Sequence, residues 1–295
     1  MTHPPAPPSL PPAPLPPLPG REPAVPHVMI VGDSISQGRE GDRTWRYRLW
    51  RTLVDQGTAV RFVGPWKGTW VPSAVWPAEA PAQPARPDSG PAHPDDGPAR
   101  RGDGPARPGG PDDPAYAGSY RRGVHFPACR HYASWGRLLH EAKDNIEDAV
   151  AAHGPGWLMV ALGFNDLAWG VSGPGRLLAD METFVLRARA ADPAVQLLIG
   201  NVVHRTPLSG LPDLARDTDS YNRELPGLLA ALSTDRSRAV PVDLAGVYDP
   251  HRDSYDGVHP NDSGEARIAA AFAAAFAPAL VHAGGGVSGR VPALG

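Results

Sequence analysis

Three separated stretches carry residue types that together could attack an acyl carbon. In "VGDSISQG", the run Gly32-Asp33-Ser34 follows a short apolar segment and presents a hydroxyl where that segment ends. A serine at neutral pH is a poor nucleophile unless an imidazole takes its proton, and that imidazole needs an acceptor on its other nitrogen to fix the tautomer. "DGVHPND" offers both groups in one loop, with Asp256 three residues before His259. In "LGFNDLAWG", Asn165 follows an apolar run, and its amide can donate to a developing oxyanion at any working pH. Singly, each has a plainer reading. Ser34 would be a cap or turn residue, Gly-x-Asn-Asp a turn, and Asp262 with Glu265 the capping pattern of a final helix. The plain turn explains Asp262 but not Asp256 and His259. Ser34 lies outside any G-x-S-x-G elbow, so the common α/β-hydrolase pattern is unsupported.

These residues need a scaffold that brings them to one place. Val28 to Val31, Val60 to Val63, Trp157 to Leu162, Val195 to Ile199 and Ala239 to Val242 are short and apolar, as parallel strands covered on both faces should be. Between them run helical stripes: Trp45, Leu49, Trp50 and Leu53; Leu138, Leu139, Ala142, Ile146 and Ala149; Leu177, Leu178, Met181, Phe184 and Val185; Ile268, Phe272 and Phe276. Tyr221 to Leu232 is a weaker helix, interrupted by Pro226. The alternation predicts an α/β domain with a central parallel sheet, whose ligands lie beyond the carboxyl ends of the strands.

Composition limits the rest. The chain has 295 residues, and its 37 prolines and 33 glycines are too many for one core to extend over all of it. Residues 1–26 read as a disordered Pro-rich tail, and 282–295 as a flexible C-terminal tail. Pro77 to Ala115 lacks Leu, Ile, Val, Phe, Tyr and Trp, and reads as a disordered insertion in a single domain over 27–281. The flanks, Trp66 to Trp76 and Tyr116 to His131, regain aromatics and should fold back onto the domain. The net charge of −3 provides no footprint for nucleic acid or an anionic membrane. No leader or spanning segment is evident, so a cytoplasmic location is expected. Cys129 is the only cysteine, which excludes an intrachain disulfide. No metal is expected: H-x-H and H-E-x-x-H are absent, and His125, His131, His204 and His251 are scattered in loops, with His204 the one expected to line the cleft.

Gly-Asp-Ser after the first strand, Gly-x-Asn-Asp after a middle strand and Asp-x-x-His before the last helix together resemble blocks I, III and V of the SGNH (GDSL) hydrolase family. The resemblance covers about residues 27–280, apart from the insertion. It implies a flavodoxin-like three-layer α/β/α fold and hydrolysis of esters or thioesters, with acyl transfer in some members. Carried over, Ser34 is the nucleophile, His259 the general base, Asp256 its orienter and Asn165 an oxyanion donor beside the Ser34 N–H. Block II departs from the family pattern. Its glycine is Gly123 or Gly136; Gly136 is preferred because it opens the helix leading to the third strand, and Trp135 beside it replaces a small residue. Asp33 and Asp166 are expected to tie down their own loops. Arg39, Glu40, Arg43 and Trp45 near the nucleophile, and Trp169 after block III, suit a sugar ester or another polar acceptor. The expected ligand is a small-molecule ester, with no cofactor. An acyltransferase using the same serine, or a binder inactivated by Trp135, are the alternatives.

Overall fold

A computed structural model of the protein describes residues 25–71, 116–127 and 129–284. The proposed tails and the insertion at 77–115 lie outside the described residues, save for Val25 and Pro26 and for the end of the last helix. The order is β1 (His27–Gly32), α1 (Ser34–Gln37), α2 (Trp45–Asp55), β2 (Arg61–Phe62), β3 (Tyr132–Ala133), α3 (Leu139–His153) and β4 (Trp157–Ala161). There follow α4 (Phe164–Ala168), α5 (Pro174–Ala191), β5 (Gln196–Gly200), α6 (Leu214–Leu232), β6 (Ala239–Val242), α7 (Pro250–Asp253) and α8 (Asp262–Gly284).

The sheet runs β2-β1-β4-β5-β6 with every pairing parallel. β1 pairs with β2 at its start and with β3 at its end. This is the flavodoxin-like order, which places the crevice at the carboxyl end of β1 beside β4. Period-two alternation sends successive side chains to opposite faces. Met29, Val31, Leu158, Val160, Leu197 and Ile199 pack with α3, α5 and α6. Val28, Ile30, Met159 and Leu198 pack with α2 and α8. Helices therefore cover both faces, which is why the strands read as continuous apolar runs.

The structure corrects several details. The strand expected over Val60 to Val63 shrinks to Arg61–Phe62, because only the start of β1 is open to it. Pro226 does not interrupt α6: Leu214, Thr218, Tyr221, Leu225 and Leu229 form one buried stripe, and the proline sits on the exposed side. Burial of that stripe outweighs the hydrogen bond that proline removes. α8 runs on to Gly284, past the expected domain end at 281. Its cap is Asn261, not Asp262: the Asn261 side chain accepts from the Ser263 and Gly264 N–H groups. Glu265 instead crosses to α2, accepting from the Thr44 N–H and Arg48. Trp45 is core rather than cleft, fully buried and stacked on Phe272.

The flanks of the insertion do fold back where they are described. Trp66 stacks on Tyr116 and Tyr132, and Thr69 bridges to Gly118. His131 fastens this layer: its Nε2–H donates to the Gly68 carbonyl at 2.9 Å, while Nδ1 accepts from the Ala133 N–H at 3.1 Å. Burial holds its pKa well below the ordinary value, aided by the Arg46 charge, so it is a neutral structural group.

Candidate active site

Ser34 opens α1 immediately after β1. The turn is tight: a Cβ at Gly32 would run into the Ser36 side chain and lie 3.2 Å from the Ala161 carbonyl oxygen. Asp33 caps α1, its carboxylate accepting from the Ile35 N–H at 2.9 Å. Four residues cannot hold themselves as a helix. Arg46, wholly buried, supplies the brace: Nε donates to the Ser36 carbonyl at 2.8 Å, Nη2 to Gln37 at 3.1 Å and Nη1 to Cys129 at 3.0 Å. Sequence reasoning missed this arginine, since backbone carbonyls from separate segments leave no motif.

The loop after α7 brings the second group in. His259 Nε2 lies 2.9 Å from Ser34 Oγ, and Nδ1 lies 2.6 Å from Asp256 Oδ2. Asp256 Oδ1 also accepts the Val258 and His259 backbone N–H groups. Burial pushes the Asp256 carboxyl up, but the ring N–H of His259 and those backbone donors outweigh it and hold it at about 2. An ionised Asp256 fixes the proton on Nδ1, which leaves Nε2 to accept from the serine.

Asn165 lies in α4, just past β4, buried at the same rim. Its Nδ2 donates one hydrogen to the Arg137 carbonyl at 3.1 Å, tying it to the Gly136-Arg137 segment. Gly136 does not open α3, which begins at Leu139; it occupies a preceding turn with φ of 74°. A side chain there would be strained, and its Cβ would press on Trp169 at 3.2 Å. The unpaired N–H groups expected at the start of α3 are taken by Asp166, whose carboxylate accepts from Leu139 and His140 at 2.8 and 2.9 Å. Asp166 therefore ties down another element rather than its own loop. Gly123 lies elsewhere, in an outward-facing groove of about 410 Å³ with Arg51, Asp55 and Arg122.

Aromatic rings line one side of the site. Trp135 stacks on the His259 ring with centroids 4.6 Å apart, and Trp70 stacks on Trp135 at 4.2 Å. Tyr255 stacks on His259 at 5.8 Å, and the Arg39 guanidinium lies 4.4 Å over Tyr255. Trp70 and Tyr255 had no motif to announce them; Gln37, which holds the Trp135 N–H at 2.6 Å, sits three residues after Ser34, the helical spacing that would have pointed to it. Arg43 turns away toward Asp262, Glu40 is exposed, and His204 pairs with Asp219 at 3.1 Å. Burial drives the Asp33 carboxyl up to about 7, against the Ile35 hydrogen bond and the His259 charge. Among the described residues no group of three His, Cys, Asp or Glu is placed to hold a metal ion, and no helix is long and apolar enough to cross a membrane.

A flavodoxin-like sheet with a Ser–His–Asp hydrogen-bonded series at the carboxyl end of its first strand defines the class of the protein. Residues 105–267, more than half of the chain, match the sequence profile of the GDSL-like lipase/acylhydrolase family. The chain belongs to that family, and is a hydrolase acting on ester bonds. The matched segment includes Asn165, Asp256 and His259 and begins after Ser34. No curated protein sequence matches. Among solved structures, a carbohydrate esterase family 3 protein from Talaromyces cellulolyticus superposes with a TM-score of 0.61 at 20% identity, over 90% of this chain and 100% of that one. A family 3 carbohydrate esterase from Clostridium thermocellum gives 0.56 at 18% identity, over 87% and 98%. A serine-to-alanine mutant of an acetyl esterase, holding an acetate ion, gives 0.58 at 19%, over 87% and 98%. At these identities the likeness is one of fold.

Proposed function

We propose that the protein is a serine esterase that cleaves carboxylic esters, with sugar esters the favoured substrates, through an acyl-enzyme on Ser34. The observation that carries this reading is the unbroken series Asp256 Oδ2, His259 Nδ1, His259 Nε2 and Ser34 Oγ, at 2.6 and 2.9 Å. His259 Nε2 takes the Ser34 proton as Oγ attacks the ester carbonyl carbon, and the π-bond electrons move to the carbonyl oxygen. Asp256 stabilises the imidazolium. The oxyanion is met by the Ser34 and Gly136 backbone N–H groups and by the second hydrogen of the Asn165 amide. One donor of this kind contributes on the order of 3 kcal/mol to lowering the barrier. Collapse expels the alcohol, which receives the proton from Nε2. Water, deprotonated by the same nitrogen, then releases the acid and frees Ser34.

The choice of sugar esters is supported by the aromatic wall beside His259, where the alcohol leaves, with the Arg39 guanidinium at its edge. Flat rings with a charged donor suit a ring-shaped polar alcohol. Two fold neighbours, from Talaromyces cellulolyticus and Clostridium thermocellum, are carbohydrate esterases, in keeping with this. Ser34→Ala should abolish turnover of p-nitrophenyl acetate and of acetylated sugars while leaving the far-ultraviolet spectrum unchanged. Retained turnover would overturn the assignment.

A further inference from the structure

Hydrogen bonds at Nε2 and Nδ1 fix two points of the His259 ring but leave it free to tilt about the line joining them. Packing has to set its plane. The Trp135 indole lies against the imidazole, 20° from parallel at 4.6 Å, and Tyr255 stacks at 18°. Trp135 is itself held twice. Its backbone N–H donates to Gln37 Oε1, and its ring rests on Trp70, whose own backbone pairs with Gly38 and Glu40. Gln37 is buried, one turn along α1 from Ser34. The indole that flanks the imidazole is thus tied to the short helix that carries the serine hydroxyl.

We propose that Trp135 is a positioning residue for His259, fixing the imidazole plane along the line from Ser34 to Asp256 and presenting a π face to the imidazolium. This rests on the reading of Ser34 as nucleophile and His259 as base. An aromatic face attracts a cation more than a neutral ring, so the contact strengthens as the proton leaves Ser34 and favours the transition state over the bound ester. The charged and titratable groups around the imidazole are Asp256 and Tyr255 on its own loop, Asp33 at the end of β1, and Arg39 and Asp42 after α1. Of these only Tyr255 also meets the ring face, at the longer distance.

The test uses the full chain and two variants. Trp135→Leu keeps apolar bulk without a π face, and Trp135→Phe keeps a π face. In Trp135→Leu, kcat for p-nitrophenyl acetate and the rate of Ser34 modification by a fluorophosphonate probe should both fall about 10-fold, within the range expected of a partly desolvated cation–π contact. KM should stay within about 2-fold, since ground-state binding is not the target. Trp135→Phe should recover most of the loss. A Trp135→Leu protein modified at the wild-type rate, or altered in KM alone, would overturn the proposal and leave Ser34 as nucleophile. A wild-type protein whose Ser34 is never modified would overturn the underlying reading, and the inference with it. The wild-type protein offers a check independent of folding in the variants: the His259 ring protons should resonate upfield of an unstacked histidine, and unshifted resonances would refute the stack.

Discussion

Asp33→Asn should make the protein more stable above neutral pH, with a gain only about a third as large at pH 5. Asp33 is 2% exposed, and burial, with the nearby Asp166 adding to it, lifts its carboxyl to about 7 against the opposing Ile35 hydrogen bond and His259 charge. In the unfolded chain the same group titrates at ~3.9. Between these values the folded protein holds a proton that the unfolded chain has released, so stability falls as pH rises from about 4 to about 7 and then levels off. The displacement corresponds to about 4 kcal/mol. Asparagine keeps the oxygen that accepts from the Ile35 N–H and never ionises. Thermal melts followed by circular dichroism at pH 5 and pH 8 measure the difference. At pH 8 the variant should melt roughly 10 °C above the wild type, from about 2–4 °C per kcal/mol in a domain of this size. Equal effects at both pH values, or greater destabilisation at pH 8, would show that Asp33 is ionised at no cost.

Three further outcomes follow from the site. Asn165→Ala should lower kcat on p-nitrophenyl acetate about 10²- to 10³-fold with little change in KM, the signature of a lost oxyanion donor in steady-state kinetics. Trp169→Ala should raise kcat/KM for p-nitrophenyl butyrate relative to the acetate, because the indole lies against Gly136 beside the proposed oxyanion donors. Arg46→Met should lower the melting temperature by at least roughly 6–12 °C, since the carbonyls of Ser36, Gln37 and Cys129 lose their donors at about 1 kcal/mol or more each. Arg46→Lys should not rescue it, because an ammonium cannot fork to carbonyls of separate segments.

Much of the architecture was legible because burial leaves a strong mark. Strands covered on both faces read as unbroken apolar runs, and the stripes of α2, α3, α5 and α8 repeat at 3.6 residues. The elements that escaped were those with little side-chain signal. β3 is two residues long and exists because it meets the end of β1, and α6 continues through Pro226 because its opposite face is packed. The Ser34, Asn165, Asp256 and His259 cluster was legible because each residue follows a strand or precedes a helix at one rim. The supports were harder to read. Gly136 was expected at a helix start, but Asp166 fills that place and moves the glycine into a turn. Arg46 acts through backbone carbonyls of separate segments, so no local spacing betrays it; Gln37 shares a helix face with Ser34, but its partner, the Trp135 N–H, is distant in sequence; and Trp135 reads as an obstruction until its ring is seen against His259.

The most direct measurement of the central claim is a rapid acid quench during turnover of p-nitrophenyl acetate, followed by mass spectrometry of the peptide containing Ser34. The peptide should carry one acetyl group on Ser34 in the wild type and none in Ser34→Ala. Undiminished turnover with that peptide unmodified, or with the acetyl group on another residue, would contradict the account.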